Sequence, residues 1–344
     1  MARVSHTKKE RVLILDADSS VYAVGFMTEK KMHFATVNGA VVYQNESKLE
    51  YNAWLKTYPD KDSVEYDMTV EVEPVQFALA SCKKFVANTL AYTGCDRAVI
   101  LLTKGGSCFR TALATIKKYK GTRTGIKPVH YDAAREYYMT YYDAKMYQKW
   151  EADDAACMAL HKGSGNTNTV YIMAAIDKDL YQMPGLHVNP AKKDEGVYVV
   201  SESEGWWNFY HQMLCGDNAD NINGLKGTKQ RPGISDAKAT KLLDGVTDIG
   251  LMCQIVYDQY VIRYGDVEFS YEPWWVETGE HPDRPTVLKG SALTMFRENA
   301  NLLYMLRTPT DQYLPHCANV IAQWVPYTNG VVEEFLPTPS EEVI

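Results

Sequence analysis

The sequence predicts an α/β fold in which a mostly parallel central sheet is flanked by helices. Three hydrophobic runs of similar form, at residues 11–20, 97–106 and 169–179, have the length and apolar content of buried parallel strands. A helical pattern at residues 74–94 separates the first two runs. Strands that alternate with helices are typical of a parallel sheet covered on both faces.

The first run, RVLILDADSS, contains Asp16 and Asp18 at its end. This suits a strand whose carboxyl end carries site residues, because α/β folds place their sites at that edge of the sheet. The runs RAVILLTKGG and TVYIMAAIDKD have the same form. The helical segment that follows the first strand has Pro74 near its start and Gly94 after its end, which are ordinary helix start and stop signals.

Two other stretches predict elements outside this framework. Residues 32–72, with VNGAVVYQ and scattered Tyr and Glu, indicate a hairpin and an excursion from the sheet. Residues 290–309, GSALTMFRENANLLYMLRTP, predict an amphipathic helix that returns to pack on the body of the protein.

Composition limits the class of protein. A chain of 344 residues with 46% hydrophobic content can bury a sizeable core. No run approaches the roughly 18 apolar residues of a membrane span, and the first residues lack an apolar signal segment, so we expect no membrane partner and a location inside a cell. Seven cysteines without a C-x-x-C pair indicate reduced thiols, neither a disulfide framework nor a zinc knuckle.

Carboxylates cluster where strands end or helices begin. The candidate metal ligands are Asp16, Glu151, Asp153, Asp154, Asp177, Asp179, Asp217 and Asp220. Acids at a helix start also follow from the helix dipole alone, and that alternative applies most directly to the EADD group. Eight clustered carboxylates would repel one another without cations. An all-oxygen donor set favours two Mg²⁺ ions, with Mn²⁺ as a substitute, and such pairs serve phosphodiester cleavage.

Spacing gives expectations about how these acids are presented. Asp177 and Asp179 would point to one side if strand geometry persists, and Asp217 and Asp220 would be neighbours on a helical turn. Glu151 and Asp154 are three residues apart and would share one face of a helix. Asp153 would point about 100° away from Asp154.

The net charge of −7 and a pI near 5.7 do not by themselves suggest a nucleic-acid binder. Without the eight candidate ligands, however, the remaining formal charge would be +1. Basic residues concentrate at 109–128, where Tyr119 lies among them, and a run of tyrosines follows. Such a stretch suits a channel that holds phosphates and stacks bases. The alternative is a solvated basic helix beside tyrosines that pack into the core.

A second stretch, residues 215–243, places two glycine-bearing turns before a helix that opens at Ser235 and carries Lys238 and Lys241. Backbone N–H groups and a helix start can face a phosphate in such a geometry. Its position directly after Asp217 and Asp220 strengthens this interpretation.

The motifs LILDADSS, FRTALATIKKYKGTR, EADDAACMAL, AAIDKDLYQMPG and GDNADNINGL…PGISDAKATKLL resemble, in order, those of the 5′-nuclease (flap endonuclease-like) superfamily. The segment EGWWNFYHQMLCGDNADN is especially similar to the 5′→3′ exonucleases of short-tailed bacteriophages. The resemblance covers roughly residues 10–245. It implies a Mg²⁺-dependent, monomeric phage nuclease of the host cytoplasm that acts in replication, primer removal or recombination. Its substrates would be duplex DNA with a 5′ end, nick or flap, and RNA–DNA hybrids.

The resemblance also implies domains and roles. It predicts a PIN-like nuclease core at 10–205 with an arch around 104–150, a helix-hairpin-helix region at 206–260, and a C-terminal extension at 261–344. Asp16 and the EADD acids would serve one metal group, and the remaining four acids would complete the second. Tyr119, Lys120 and Arg123 match the Y-K-x-x-R element at the arch base and would be catalytic. Residues 221–243 would grip duplex DNA, with K⁺ at the hairpin. The candidate nucleic-acid contacts are Arg110, Lys117, Lys127, Gly224, Lys229, Arg231, Gly233, Lys238 and Lys241.

Two departures from the family pattern stand out. Thr103 occupies the position of a usual Asp about six residues before the F-R pair, so one carboxylate is absent or supplied elsewhere, with Asp18 as a candidate. The hairpin carries the insertion KGTKQR at 226–231, and Ser235 replaces a usual glycine, which puts the cation-binding turn in doubt.

Two alternatives remain open at the level of sequence. LILDADSSV also resembles the first motif of haloacid-dehalogenase-type phosphatases, in which Asp16 would be a nucleophile and Asp18 a general acid. That hypothesis leaves EADD and the basic stretch unexplained. A DNA-binding protein with a degenerate metal site is the other, and Thr103 favours it.

Overall fold

The computed structural model describes residues 9–123, 125–227 and 232–325. The chain forms two compact units. Unit 1 comprises Met1–Ala17, Thr89–Gly125 and Ala144–Ile344, and unit 2 comprises Asp18–Asn88 and Ile126–Asp143.

Strands and helices are numbered separately in chain order. The strands are β1 (Glu10–Asp16), β2 (Glu29–Val37), β3 (Ala40–Asn45), β4 (Glu65–Val72), β5 (Arg97–Thr103), β6 (Lys145–Tyr147), β7 (Thr169–Ala174), β8 (Gly185–Val188), β9 (Val197–Val200), β10 (Phe269–Tyr271) and β11 (Leu288–Gly290). The helices are α1 (Asp18–Phe26), α2 (Lys48–Thr57), α3 (Val75–Thr93), α4 (Phe109–Leu113), α5 (Tyr131–Tyr142), α6 (Ala152–Ser164), α7 (Glu202–Cys215), α8 (Asp236–Leu242), α9 (Ile249–Tyr264), α10 (Trp274–Thr278), α11 (Ala292–Leu303) and α12 (Ala318–Ile321).

A six-stranded sheet in the order β6-β5-β1-β7-β8-β9 forms the framework of unit 1. The first five strands of this order are parallel, and β9 runs antiparallel to β8. In the central strand β1, Val12 faces Arg97 on one side and Tyr171 on the other, and its side chain is fully buried. The predicted α/β fold with a mostly parallel central sheet is therefore confirmed.

Small side chains seat helix α6 against this sheet. Ala155, Ala156 and Cys157 are fully buried and form one hydrophobic cluster with residues of β1, β5 and β7. Alanine and cysteine leave room for close approach of helix and strand, so the start of α6 is fixed with respect to the strand ends. This agrees with the apolar sequence that follows EADD.

A second cluster in unit 1 holds helices α7, α9 and α11 together. Phe209 of α7, Tyr260 of α9 and Phe296 of α11 have at most 1% of their surface exposed. The helix predicted within 290–309 is α11, and it packs on α9 and α7 as expected. The described residues from 292 onwards thus contribute to the same core as the segment before Asp217.

His316, which contacts Trp206 and Tyr210 of this cluster, provides a pH-dependent test of the fold. Burial, together with the nearby Arg307, lowers the pKa of His316 to about 4, and its Nδ1 lies 2.8 Å from the hydroxyl of Tyr210. A histidine with a depressed pKa contributes stability above its unfolded value near 6.5 and loses it as pH falls towards 4. Because the ring is partly exposed, we expect His316→Gln to remove about 1 kcal/mol of the stability change between pH 7 and pH 5. Urea denaturation of both proteins at the two pH values measures this, and parallel pH profiles would contradict it.

Unit 2 contains a three-stranded antiparallel sheet in the order β3-β2-β4, with α1, α2, α5 and most of α3. The β2–β3 hairpin turns at Asn38 and Gly39, both with positive φ, as the two-residue hairpin turn requires. The hairpin expected within 32–72 is therefore confirmed. In α5, Tyr138 is fully buried whereas Tyr141 is 70% exposed, so the tyrosine run supplies both core and surface.

The other sequence expectations have mixed outcomes. Helix α3 confirms the helical pattern at 74–94. Asp18 does not lie at the end of a strand, because β1 stops at Asp16 and Asp18 opens α1. All seven cysteines are free. Among the described residues, no helix has the length and apolar character to cross a membrane. The predicted domain boundaries near 205 and 260 fall inside α7 and α9, and the three-part division stays a prediction.

Candidate active site

The predicted acids in unit 1 collect at the edge where the parallel strands β1, β5, β6 and β7 end. Asp16 is the last residue of β1, the central strand between β5 and β7. Glu151 follows β6, and Asp177 follows β7. Because the carboxyl ends of parallel strands meet at one edge, residues distant in sequence come close here. The role of Asp16 as a metal ligand stays a prediction.

Glu151 is the N-cap of α6 and not part of its first turn. Its side chain and that of Asp154 form a capping box, each accepting from the other's backbone N–H. The hydroxyl of Thr103, at the end of β5, accepts a hydrogen bond of 2.8 Å from the N–H of Ala152. Thr103 thus ties the helix start to the sheet at the position where the family pattern has an Asp. The candidate substitute, Asp18, lies in unit 2 and pairs with Arg135 at 3.1 Å.

Arg110 is fully buried and forms the core of this half of the site. It donates two hydrogen bonds to Asp154, at 2.5 and 2.7 Å, and a third to Glu151 at 3.3 Å. It also donates to the carbonyls of Leu302 and Tyr304, at 2.9 and 2.8 Å. The prediction that Arg110 contacts nucleic acid is therefore wrong, because its whole guanidinium group is enclosed in protein and saturated. Asp154 is likewise fully buried, with both oxygens engaged.

The Y-K-x-x-R element contacts acids from two separate segments. The Tyr119 hydroxyl lies 2.6 Å from Glu151 Oε2 and 2.7 Å from Asp220 Oδ2. The Lys120 ammonium pairs with Glu151 and lies 3.7 Å from Asp220 Oδ2. Arg123 pairs with the other oxygen of Asp220 at 2.6 Å. Although burial opposes its ionisation, Lys120 and Arg110 hold the pKa of Glu151 at about 2. Lys120 and Tyr119 therefore join the EADD segment at 151–154 and the GDxxD segment at 216–220.

Asp217 and Asp220 lie in a tight turn and not on a helical turn as expected. The turn is closed by an antiparallel bridge between Asp217 and Ile222, and Asp217 Oδ1 accepts from the N–H of Asp220 at 3.0 Å. Gly216, with φ of +70°, precedes it, and an added Cβ there would lie 2.5 Å from the carbonyl oxygen of Ile222. Lys178 pairs with Asp217 at 3.3 Å. The backbone geometry of this turn therefore fixes the positions of the Asp217 and Asp220 carboxylates.

Asp177 and Asp179 are also presented differently from the expectation. The strand ends at Ala174, and Asp177 caps a short 3-10 helix by accepting a hydrogen bond of 3.0 Å from the N–H of Asp179. Gln212 of α7 donates to Asp179. Burial, followed by the nearby Asp177 and Asp217, raises the pKa of Asp179 to about 7. With the ion pair between Lys178 and Asp217, these contacts bring the DKD segment at 177–179 and the GDxxD segment together.

The charge balance of the cluster favours a divalent cation. Besides Asp16, the seven other predicted carboxylates lie here, and the cations that pair with them among the described residues include Arg110, Lys120, Arg123 and Lys178. Burial, together with Glu151 and Asp154, raises the pKa of Asp153 well above its usual range. Oxygens of Glu151, Asp153 and Asp154 lie within 4.8 Å of one another, close enough to hold a metal ion. The all-oxygen donor set fits a hard ion such as Mg²⁺.

The sequence predicts helix α11, but none of its motifs indicates that residues 292–306 support the site. Glu298 of α11 accepts from the N–H groups of Thr115 and Ile116, both at 2.8 Å, just ahead of the catalytic candidates Tyr119 and Lys120. The neighbouring Asn299 accepts a hydrogen bond of 2.9 Å from the N–H of Gly224. The same segment supplies the carbonyls that hold Arg110. One signal of this role was available in the sequence. Glu298 lies three residues after Met295, on the stripe of an amphipathic helix that is expected to be buried.

We expect Glu298→Ala to reduce stability by about 1–3 kcal/mol, because two backbone N–H groups lose their acceptor. Glu298→Gln should retain most of the stability, since its amide oxygen can accept the same two hydrogen bonds. Chemical denaturation of the two variants beside the parent protein measures the difference. Equal stability of all three proteins would show that Glu298 does not hold the 115–116 segment.

The remaining nucleic-acid candidates divide by exposure. Gly224 is buried and its N–H is bonded to Asn299, so the prediction that this backbone faces a phosphate is wrong. Gly233 is partly buried against the backbone of Gly227. Exposed side chains that remain candidates are Lys117, Lys127, Lys238 and Lys241. Lys229 and Arg231 lie outside the described residues. In the described part of 221–243, the helical element is α8, and the helix-hairpin-helix stays a prediction.

No protein-family model and no curated protein sequence matches the chain. The structure resembles that of a mutant 5′-exonuclease of T5, with 12% identity and a TM-score of 0.41 over 73% of this chain and 77% of that chain. It also resembles the T5 5′-exonuclease with bound zinc, at 14% identity, 73% and 79% coverage and a TM-score of 0.41. A pseudo-enzyme–product complex of the bacteriophage T5 flap endonuclease with DNA and metal ions gives 13% identity, 73% and 79% coverage and a TM-score of 0.40. At these values the likeness is distant.

Proposed function

We propose that the protein is a divalent-metal-dependent 5′ nuclease, a 5′→3′ exonuclease or flap endonuclease that hydrolyses phosphodiester bonds at 5′ ends of duplex DNA. One observation carries the proposal: Glu151 and Asp220, from separate segments, are joined by the hydroxyl of Tyr119 and flanked by Lys120. A dense carboxylate site with lysine and tyrosine inside it suits a reaction in which charge develops on a phosphate.

Metal binding would fall to two groups of carboxylates. Glu151 and Asp153, with Asp16 and Asp154, would hold one Mg²⁺, and the acids of the DKD and GDxxD segments would hold a second. Mn²⁺ would substitute because it prefers the same oxygen donors. The bound ions would supply an activated water and charge stabilisation for phosphodiester hydrolysis.

The chain's own residues would orient the substrate. Lys120, at the junction of the two acid groups, would donate to the scissile phosphate and offset charge that develops there. Tyr119 would fix the relative position of Glu151 and Asp220. Arg123, which is about half exposed, would meet the approaching strand. The exposed candidates Lys117, Lys238 and Lys241 in unit 1, and Lys127 in unit 2, would bind backbone phosphates, and the insertion at 226–231 would add contacts or a K⁺ site.

The wider role is part of the same proposal. The substrates would include nicked and flapped duplex DNA and RNA primers in RNA–DNA hybrids. The protein would act as a monomer in phage replication, primer removal or recombination, in the cytoplasm of the host cell. The predicted arch at 104–150 and the helix-hairpin-helix would guide the 5′ strand and the duplex.

The test is cleavage of 5′-labelled blunt, nicked and flapped duplexes and an RNA–DNA hybrid, with Mg²⁺, Mn²⁺ or chelator. We expect metal-dependent products, and their lengths separate exonuclease from flap endonuclease activity. A salt-sensitive gel shift without products in either metal would support a binding protein instead. A beryllofluoride adduct on Asp16 without DNA products would support the phosphatase alternative.

A further inference from the structure

A second group of metal-binding side chains lies outside the carboxylate cluster. His211 and Cys215 are one turn apart on α7, and Asp236 is the first residue of α8. His211 Nδ1 lies 3.7 Å from the Cys215 sulfur. One ring nitrogen, the thiol sulfur and an oxygen of the Asp236 carboxylate all lie within 4.8 Å of one another.

The hydrogen bonds of His211 fix which nitrogen is free to bind a metal. Its Nε2 lies 3.2 Å from the backbone carbonyl of Asp236 and 3.1 Å from the hydroxyl of Thr240. A carbonyl oxygen only accepts, so the ring proton resides on Nε2. The lone pair of Nδ1 therefore points towards Cys215. A metal-binding histidine typically donates its other N–H to a carbonyl in this way.

The spacing of nitrogen and sulfur matches a tetrahedral ion. With bonds of about 2.0–2.1 Å to nitrogen and about 2.3 Å to sulfur, two ligands of one Zn²⁺ lie roughly 3.6 Å apart. The observed separation is 3.7 Å. An oxygen of the Asp236 carboxylate lies 3.8 Å from His211 Nε2, and because this side chain is 87% exposed, it can rotate to supply the third ligand beside Nδ1 without disturbing the core.

We propose that His211 Nδ1, the Cys215 thiolate and the Asp236 carboxylate bind one Zn²⁺, with the fourth position open to solvent. Cys215 and Asp236 line a cleft of about 460 Å³ that also contains Asp217 and Lys226, so the open position has room for water or a ligand. On binding, the thiol releases its proton to solvent and a sulfur–zinc bond forms. Mixed nitrogen and sulfur donors favour zinc over Mg²⁺, which separates this site from the carboxylate cluster.

The ion would link the end of α7 to the start of α8. Gly216 and Asp217 follow Cys215 directly, so this link would also brace the turn that presents Asp217. The proposal does not depend on nuclease activity, because the ligands and the bonds that they make are independent of any substrate.

The test uses Co²⁺ as a spectroscopic probe of Zn²⁺ sites in the full chain after removal of metal with a chelator. We expect one equivalent of Co²⁺ to give a thiolate-to-cobalt charge-transfer band in the presence of excess Mg²⁺, and Zn²⁺ to displace it. Cys215→Ser should abolish the band. Asp236→Asn should weaken Co²⁺ binding at least tenfold. Because the Asp236 side chain is exposed, this substitution should not disturb folding, so a folding defect would not account for the weaker binding. Cys95→Ser is the matched control and should keep the band.

Zn²⁺ should also raise the melting temperature of the parent protein and of Cys95→Ser, but not that of Cys215→Ser. The absence of a thiolate band in the parent protein, or its persistence in Cys215→Ser, would overturn the proposal. Binding that excess Mg²⁺ abolishes would assign the ion to the carboxylates instead. Since neither readout involves DNA, a failure here is distinct from a failure of the proposed nuclease activity.

Discussion

Replacing Arg110 with methionine is expected to destabilise the protein by about 3–5 kcal/mol, because it leaves the fully buried Asp154 carboxylate without its ion pair. The carbonyls of Leu302 and Tyr304 would lose their donors as well. Urea denaturation, with the midpoint and slope compared with those of the parent protein, measures the loss. A change below about 1 kcal/mol would contradict the role of Arg110 as the buried partner of Asp154.

Arg123→Met is the matched control for this experiment. Arg123 also pairs with a carboxylate, Asp220, but its side chain is 53% exposed, so its removal should cost at most about 1 kcal/mol. The double variant Arg110→Met, Asp154→Leu should recover much of the stability, because a buried pair replaced by apolar groups of similar size no longer leaves a charge unpaired. Double and single variants of equal stability would show that the carboxylate is not the cause.

Asp153→Asn is expected to lower the rate of metal-dependent cleavage by a factor on the order of 10³ or more. The loss of one metal ligand costs several kcal/mol of transition-state stabilisation. The same substitution should leave stability in chelator unchanged or slightly raised. Burial and the neighbouring Glu151 and Asp154 oppose ionisation of Asp153, and asparagine removes that repulsion. Cleavage rates on a 5′-labelled flap, with melting temperatures for the same preparations, measure both effects.

Asp244→Asn is the control for a loss of negative charge. Asp244 is exposed between α8 and α9, so its substitution should leave both rate and melting temperature near those of the parent protein. Full activity of Asp153→Asn would remove Asp153 from the metal site. Equal loss of activity and stability would indicate a structural role.

The framework of the fold could be predicted because its strands are long and apolar. Strands β1, β5 and β7 have six or seven residues each, enough for a hydrophobic run to be recognised. Strands β6 and β8 have three and four residues, too short for a hydrophobic pattern to predict them. Their place in the sheet depends on pairing with β5 and β7.

For the site, the types of residue could be predicted from the sequence, but the backbone geometry and burial of those residues could not. Acids at strand ends pointed to one edge, but Asp177 bonds locally to the N–H of Asp179 and ends the extended geometry. The sequence groups Arg110 with the lysines that follow it. The carbonyls that enclose it, those of Leu302 and Tyr304, lie about 190 residues away and leave no local pattern. The position of Arg110 between the buried Phe109 and Leu113 was a local signal of an interior residue.

Glu298 and Asn299 are consecutive on α11, yet one holds residues 115–116 and the other holds Gly224. Inserting a single residue between Ser291 and Glu298 would rotate both side chains by about 100° and shift them by about 1.5 Å along the axis. Two loops that carry candidate site residues would then lose their anchors together. The spacing within α11 is therefore more constrained than its composition, and related chains should vary there by substitution and not by insertion or deletion.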